Sequence, residues 1–492
     1  MRRKACLTFA LLLGGCAVGP DFRPPATPSA TGYTPTALPI QTDGASVAGG
    51  EVQRFRWGGA VSYRWWIQFG SPALDALEAD ALAHNPDVES AKAALRAARQ
   101  TYLAQRGGLF PSVSANGQVE RQKNSNVLQS PLNDNSDIFT LYTLGATASY
   151  TPDLFGGIRR GVEGAKAQAE AQRFQTEAAF LTVTTNVANT AITLASLDRQ
   201  IAMTQDVIAA DRRYRDIVQM QWKLGAASGA DVAAAQLALS QAEATLPSLA
   251  KQQAQARDFL AVLTGRYPAE HFVAPDLDTL HLPAELPVSL PSELVAQRPD
   301  IRAAEANLHY ASAQVGVAIA ARLPSFSINA TAGGTSTGLS TLFRNGNPFW
   351  SLTGGLLQPI FEGGTLLKRQ RAAEATLDQA KAQYRSTVLS AMQNVADVLQ
   401  SVSADAQGLR AAVQADAAAR RALDIAQAQA RLGQLSGAAT LNLQATWLGT
   451  QSALVQSRAQ RLTDSVLLYQ ALGGGWQGRG YHELLPVTRA RS

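Results

Sequence analysis

Histidine is the side chain best suited to bind metal or move a proton near neutral pH, and this chain has five, at positions 84, 271, 281, 309 and 482. They show no metal-ligand spacing and read as ordinary surface or loop residues. The stretch LFGGIRRG (154–161) looks like a phosphate-cradling loop but lacks the Lys-Ser/Thr pair of a P-loop. A strand-to-helix turn is the simpler reading, and IFEGGTLLKR (360–369) fills the same role later in the chain. There is no HExxH and no nucleophile beside a base. The sequence therefore points away from catalysis, metals and diffusible cofactors.

One cysteine carries readable chemistry. The chain opens MRRKACLTFALLLGGC, with Arg2, Arg3 and Lys4, a short apolar run and small residues before Cys16, the layout of a secretory signal. Leu13-Gly14-Gly15-Cys16 also resembles the bacterial lipoprotein box, which implies a signal at 1–15 and a covalent lipid on Cys16. Cys6 leaves with the signal, so the mature chain has no thiol for a disulfide or a nucleophile. Removing residues 1–15 also removes three basic residues, leaving 40 basic against 38 acidic, or +2. No nucleic-acid partner follows from that balance. Past the signal no apolar run approaches the 18 or so residues of a membrane helix, so any membrane crossing falls to strands.

The elements are written twice. KLGAASGADVAAAQ (223–236) returns as RLGQLSGAATLNLQ (431–444), an offset of 208 residues that also pairs Asn186-Val187-Ala188 with Asn394-Val395-Ala396. NPDV (85–88) and RPDI (298–301) match at offset 213. Such self-similarity predicts a duplicated architecture, with repeats at 71–290 and 291–480 after an amino-terminal segment at 16–70, whose Pro/Gly-rich stretch 17–60 reads as an extended tether, and before a tail at 481–492. One helix is expected from Asp87 to Arg106. Strict alternation of apolar and polar residues predicts β-hairpins at 112–151 and 325–360. Tyr142, Leu144, Ala146, Ala148 and Tyr150 share one face, and Tyr142, Tyr150 and Trp350 form a candidate aromatic girdle. A half-buried hairpin in a soluble sandwich remains an alternative for these strands.

Residues 165–224 contain no Gly or Pro, and a helix over 158–223 would be about 100 Å long. Phe180, Val187, Leu194, Ile201 and Ile208 recur every seven residues, as do Val388, Val395, Val402 and Leu409, the mark of helices packed with coiled-coil geometry. The second long helix spans 365–431. Return helices at 230–264 and 438–472 follow tip turns at 224–229 and 432–437, where Gly225 and Gly433 suit C-caps and Ser228 and Ser436 suit N-caps. The fifth place of the second heptad column is Asp416, with Arg420 one turn on as its expected partner. Four strands cannot close a barrel, so strands spanning a membrane require an oligomer.

Along essentially the whole chain these residues resemble the TolC-like outer-membrane factor family, in its lipoprotein branch serving RND-type drug efflux. The resemblance is carried by CAVGPDFRPP after the lipobox, WWIQFGSPALDAL (65–77), PDLFGGIRRG (152–161), LPSLAKQQAQARDFLAVLTG (246–265), QRPDIRAAEANL (297–308), QPIFEGG (358–364) and LYQALGGGW (468–476). It implies an α+β membrane protein whose homotrimer closes a 12-stranded β-barrel continuous with a 12-helix periplasmic α-barrel. An equatorial belt is expected near 40–70, 266–296 and 473–490. Such a channel, lipid-anchored in the bacterial outer membrane with a large periplasmic portion, passively conducts drugs or other small molecules from an inner-membrane RND transporter and a periplasmic membrane-fusion adaptor. The adaptor contact carries over to Leu224, Gly225, Ser228, Leu432, Gly433 and Ser436. The family's usual Arg-aromatic pair before each tip Gly is Gln221-Trp222 and Gln429-Ala430 here, which leaves the closed gate to Asp416, Arg420, Asp424, Gln427, Asp211 and Asp216 by position. A duct for type I protein secretion and a non-channel structural coiled-coil lipoprotein remain as alternatives, the alternating strands arguing against the second.

Overall fold

The structure, a computed structural model, describes residues 17–478 apart from 31, 36, 37, 126, 128–131, 133–136 and 345. Cys16, His482 and the 481–492 tail lie outside the described residues. The chain forms two compact units, one from the residues up to Pro25, Leu95–Gln172 and Ala304–Arg385, the other from Ala26–Ala94, Arg173–Ala303 and the residues from Ser386 onward.

The first unit holds an antiparallel sheet of β2 (Ser112–Lys123), β3 (Ile138–Tyr150), β5 (Ser325–Ser336) and β6 (Pro348–Leu357), in the order β2-β3-β5-β6. Register follows the period of two. Val113, Ala148, Ala330 and Leu352 form one row across the sheet, and Ala115, Ala146, Ala332 and Trp350 the next on the same face. The opposite face pairs Thr143 with Thr335 and Thr147 with Thr331, each pair 3.2 Å apart between hydroxyls. A slip of one residue would exchange these faces.

The helices α1 (Pro72–His84), α2 (Pro86–Gly107), α3 (Gly157–Lys223), α4 (Gly229–Leu263), α5 (Pro291–Gln297), α6 (Pro299–Ala320), α7 (Thr365–Arg431) and α8 (Gly437–Ala471) complete the order, with β1 (Arg54–Trp57) and β4 (Glu285–Val288) pairing in parallel. Long elements recur at equal lengths: α2 and α6 have 22 residues, α3 and α7 have 67, α4 and α8 have 35. Pro247 does not end α4. The single helix expected from Asp87 is preceded by α1, because Asn85 caps α2 through its Oδ1, which accepts from the Asp87 and Val88 amides, while its Nδ2 donates to Leu263 O.

The heptad columns are the core of the second unit. Val187, Leu194, Val395 and Leu409 are fully buried, each removal from water being worth about 1.5–3 kcal/mol. Trp65, Trp66 and Phe69, on a short 3-10 turn, cluster with Val187, Leu194, Leu260, Leu462 and Tyr469, and Trp65 stacks on Tyr469 at 5.4 Å.

Two expectations are corrected. The segment read as a tether is fastened beyond Thr42: the buried guanidinium of Arg461 donates to Gly49 O, Glu51 O and Thr42 Oγ1, and Phe55 packs inside. And α3 contains one 18-residue window apolar enough, by length and composition, to cross a membrane, because its packed heptad side concentrates apolar residues; 56% of that window is buried in the chain itself.

Candidate functional site

The apolar face of the sheet is open. Trp350 is 80% exposed, Val113 75% and Leu352 67%, far more than a core sheet leaves uncovered, and Val113, Ala146, Ala148, Ala330, Trp350 and Leu352 line a shallow hollow on it. Contiguous exposed apolar surface of this kind marks a lipid or protein contact. Tyr142 and Tyr150 stand eight residues apart on this face, opposite Val119 and Ile328. Trp350 shares the face but lies in the Ala146 row, midway between the tyrosines along the strand, so it extends neither tyrosine's row.

The two tip turns are built alike. Gly225 has φ +73° and Gly433 φ +72°, the left-handed region where a side chain is strained. Ala226 N donates to Gln221 O at 2.8 Å and Gln434 N to Gln429 O at 2.9 Å, closing both long helices with the same motif. Ser228 Oγ accepts from the Asp231 amide while Asp231 Oδ2 accepts from the Ser228 amide, a reciprocal capping box. That amide, with the Ser228 hydroxyl, holds the Asp231 carboxyl below its usual range. Ser436 accepts from the Ala439 amide at 3.3 Å, without a reciprocal carboxylate because residue 439 is Ala. Capping accounts for the glycines and serines. It does not account for Leu224 and Leu432, 76% and 73% exposed.

Of the six gate candidates, Asp211 is the most enclosed, at 5% exposure. Gln444 Nε2 donates to its Oδ1 at 2.7 Å, and burial pushes the carboxyl up against that bond. Twelve residues along α8, Gln456 Nε2 donates to Gln200 Oε1 at 3.1 Å, so two polar rungs join α3 to α8. An open groove of about 680 Å³ beside them is lined by Asp211, Gln444, Val207, Leu237 and Leu448. Towards the tip, Tyr214 lies over Gly437, where any Cβ would collide with its hydroxyl.

The expected Asp416–Arg420 pair is not made. Asp416 accepts from Thr450 Oγ1 at 3.4 Å, and burial raises its carboxyl despite Thr450, Trp447 and the more distant Arg420. Arg420 turns the other way along its helix, Nε meeting Asp424 Oδ1 at 3.1 Å, because its planar guanidinium then lies over the Trp447 ring at 4.6 Å. Asp216 is held by its neighbour Arg215 and is 59% exposed on its side chain. Gln427 is half-buried. Thr450, Trp447 and Tyr214 were not legible as site residues, since only the α3–α8 and α7–α8 registers bring them to their partners; Gly437 at a helix start was the one available signal.

Comparison with known proteins agrees with this geometry. The model of a family described as outer membrane efflux protein matches residues 77–266 and 290–474. The chain is 33% identical to the probable efflux pump outer membrane protein TtgC of Pseudomonas putida, across 95% of this chain and 94% of that one. It is 29% identical to outer membrane protein OprJ of Pseudomonas aeruginosa, covering 97% and 98%. Its fold matches the solved outer-membrane channel OprN with a TM-score of 0.81 at 27% identity, over 94% of this chain and all of that one.

Proposed function

From the fact that this chain belongs to the outer membrane efflux protein family, we propose that it is the outer-membrane channel of a tripartite efflux system, passively conducting drugs or other small molecules from an inner-membrane RND transporter and a periplasmic adaptor to the exterior. The observation that carries this reading is the sheet. Its apolar face is open, and β2 and β6 each have one edge without a partner strand among the described residues. In lipid such an edge leaves several backbone groups unsatisfied, each at a cost of several kcal/mol, so only a closed barrel is tolerated. Three copies supply twelve strands, an even number within the range of closed barrels.

The helical tips serve the periplasmic side. Leu224 and Leu432 are the apolar contacts an adaptor would cover, and the α3–α8 and α7–α8 ties near the tips hold the closed state. Cys16 carries the lipid that anchors the amino terminus; substitution to Ala should abolish palmitate labelling.

Deletion of the gene should raise intracellular accumulation of a fluorescent efflux dye, with complementation by the wild-type chain restoring efflux. Dye levels unchanged by deletion, in a strain whose other efflux channels are removed, would sink the reading.

A further inference from the structure

Residues 17–22 have no regular secondary structure, yet they occupy a built seat. Arg160, near the start of α3, is 4% exposed. Its Nε donates to Val18 O at 3.1 Å, and its Nη2 to Gly19 O at 3.3 Å and Asp21 Oδ1 at 2.7 Å. Only the fourth bond, from Nη1 to Glu163 Oε2 at 2.8 Å, stays within the helix. A buried guanidinium is tolerated only when its donors are satisfied, and three of these four acceptors come from the amino-terminal segment. The segment completes the site rather than lying on it.

Glycines make the close approach possible. Gly316 sits inside α6, where Gly is roughly 1 kcal/mol less favourable than Ala, and a Cβ there would stand 2.8 Å from Arg160 Cγ and 2.9 Å from Val18 O. At Gly19, φ +94°, a Cβ would meet Gly316 Cα at 2.5 Å, and at Gly156, φ +77°, it would meet Ala17 Cα at 2.6 Å. The Val18 amide donates to Phe155 O at 3.0 Å. Phe22 closes the far end, its ring stacked 4.2 Å from the His309 imidazole at 11°, while His309 Nε2 lies 2.8 Å from Glu163 Oε1.

We propose that Arg160, Gly156, Gly316 and His309 form a docking seat for the chain's own post-signal segment, clipping Val18 to Phe22 against the junction of β3 and α3. A lipid on Cys16, one peptide bond before Ala17, then enters the membrane beside the foot of the sheet. This second step rests on the lipid reading of Cys16; the clip itself does not.

Hydrogen–deuterium exchange of the full-length protein in detergent, followed on its amino-terminal peptide by mass spectrometry, tests both at once. Uptake at the Val18 amide reports the clip, and the peptide mass reports the lipid. The wild-type amide should be protected. Asp21→Ala removes an acceptor whose side chain is 87% exposed, leaves no buried hole, and should speed exchange about threefold, the scale of one exposed charged contact. Gly316→Ala, which favours the α6 helix, should abolish the protection. A Val18 amide that exchanges at the unprotected rate in the wild type, or keeps its protection in both variants, overturns the clip. Protection on a peptide of unmodified mass keeps the clip and removes the lipid.

Discussion

Gln444 on α8 donates its Nε2 proton to Asp211 Oδ1 on α3 across 2.7 Å, around a carboxyl only 5% exposed. Since burial raises the Asp211 carboxyl, the native state holds a proton more tightly than the unfolded chain. Its stabilising contribution is fullest below the unfolded value of about 3.9 and is lost as pH rises through the folded value. Asp211→Asn keeps the acceptor without the charge and should match or exceed wild-type stability at neutral pH. Asp211→Leu strands the Gln444 amide and should cost about 1–3 kcal/mol, read by thermal unfolding in detergent.

Arg420 divides its interactions between Asp424 and Trp447. The ion pair is about half exposed on both sides and should couple by less than about 1 kcal/mol. The guanidinium over the indole should couple by about 0.5–2 kcal/mol and, unlike the ion pair, survive high salt. Double-mutant cycles on Arg420 with Trp447 and with Asp424, each at low and high salt, check this. A larger, salt-sensitive Arg420–Asp424 coupling would overturn the assignment.

Asp464 is 2% exposed, and burial together with the neighbouring Asp405 raises its carboxyl to about 8. The native state is therefore the better proton binder between the unfolded carboxylate range and about pH 8. Stability should fall as pH rises through that window, by up to about 1.4 kcal/mol per unit. Melting curves from pH 6 to 9 should show the decline, and Asp464→Asn should flatten it. A melting temperature that rises with pH across this range would contradict the protonated state.

The two faces of the sheet should respond oppositely to charge. Ala148→Arg places a cation on the apolar face, at a cost of about 2–4 kcal/mol near a bilayer midplane, and should deplete the protein from outer-membrane fractions. Thr147→Arg, one residue away and on the polar face that pairs Thr147 with Thr331, should insert normally. Equal losses for both would mean that the apolar face does not meet lipid.

What the sequence made legible was periodic. Phe180, Val187 and Leu194 repeat every seven residues and are buried; Gly225 and Gly433 end long runs, one without Gly and the other with only Gly408, and adopt positive φ. Local signals of this kind need no partner to be read. The partners of Asp416, Arg420 and Asp211 depend on the register between helices far apart in the chain, and the i+4 rule chose Arg420 for Asp416 because Trp447, which draws the guanidinium away, is not a neighbour in sequence. Arg160 and Arg461 escaped notice for the same reason, since most of their acceptors, backbone carbonyls among them, lie in segments that read as a loose tether.

The most direct measurement is the conductance of the purified protein in a planar lipid bilayer. A closed barrel of three chains predicts discrete, uniform current steps, with larger or more frequent openings when the α3–α8 and α7–α8 ties are cut together by Asp211→Leu, Asp416→Ala and Arg420→Ala. Protein that inserts as folded oligomers, verified by resistance to protease, and passes no current even with the ties removed would contradict the account.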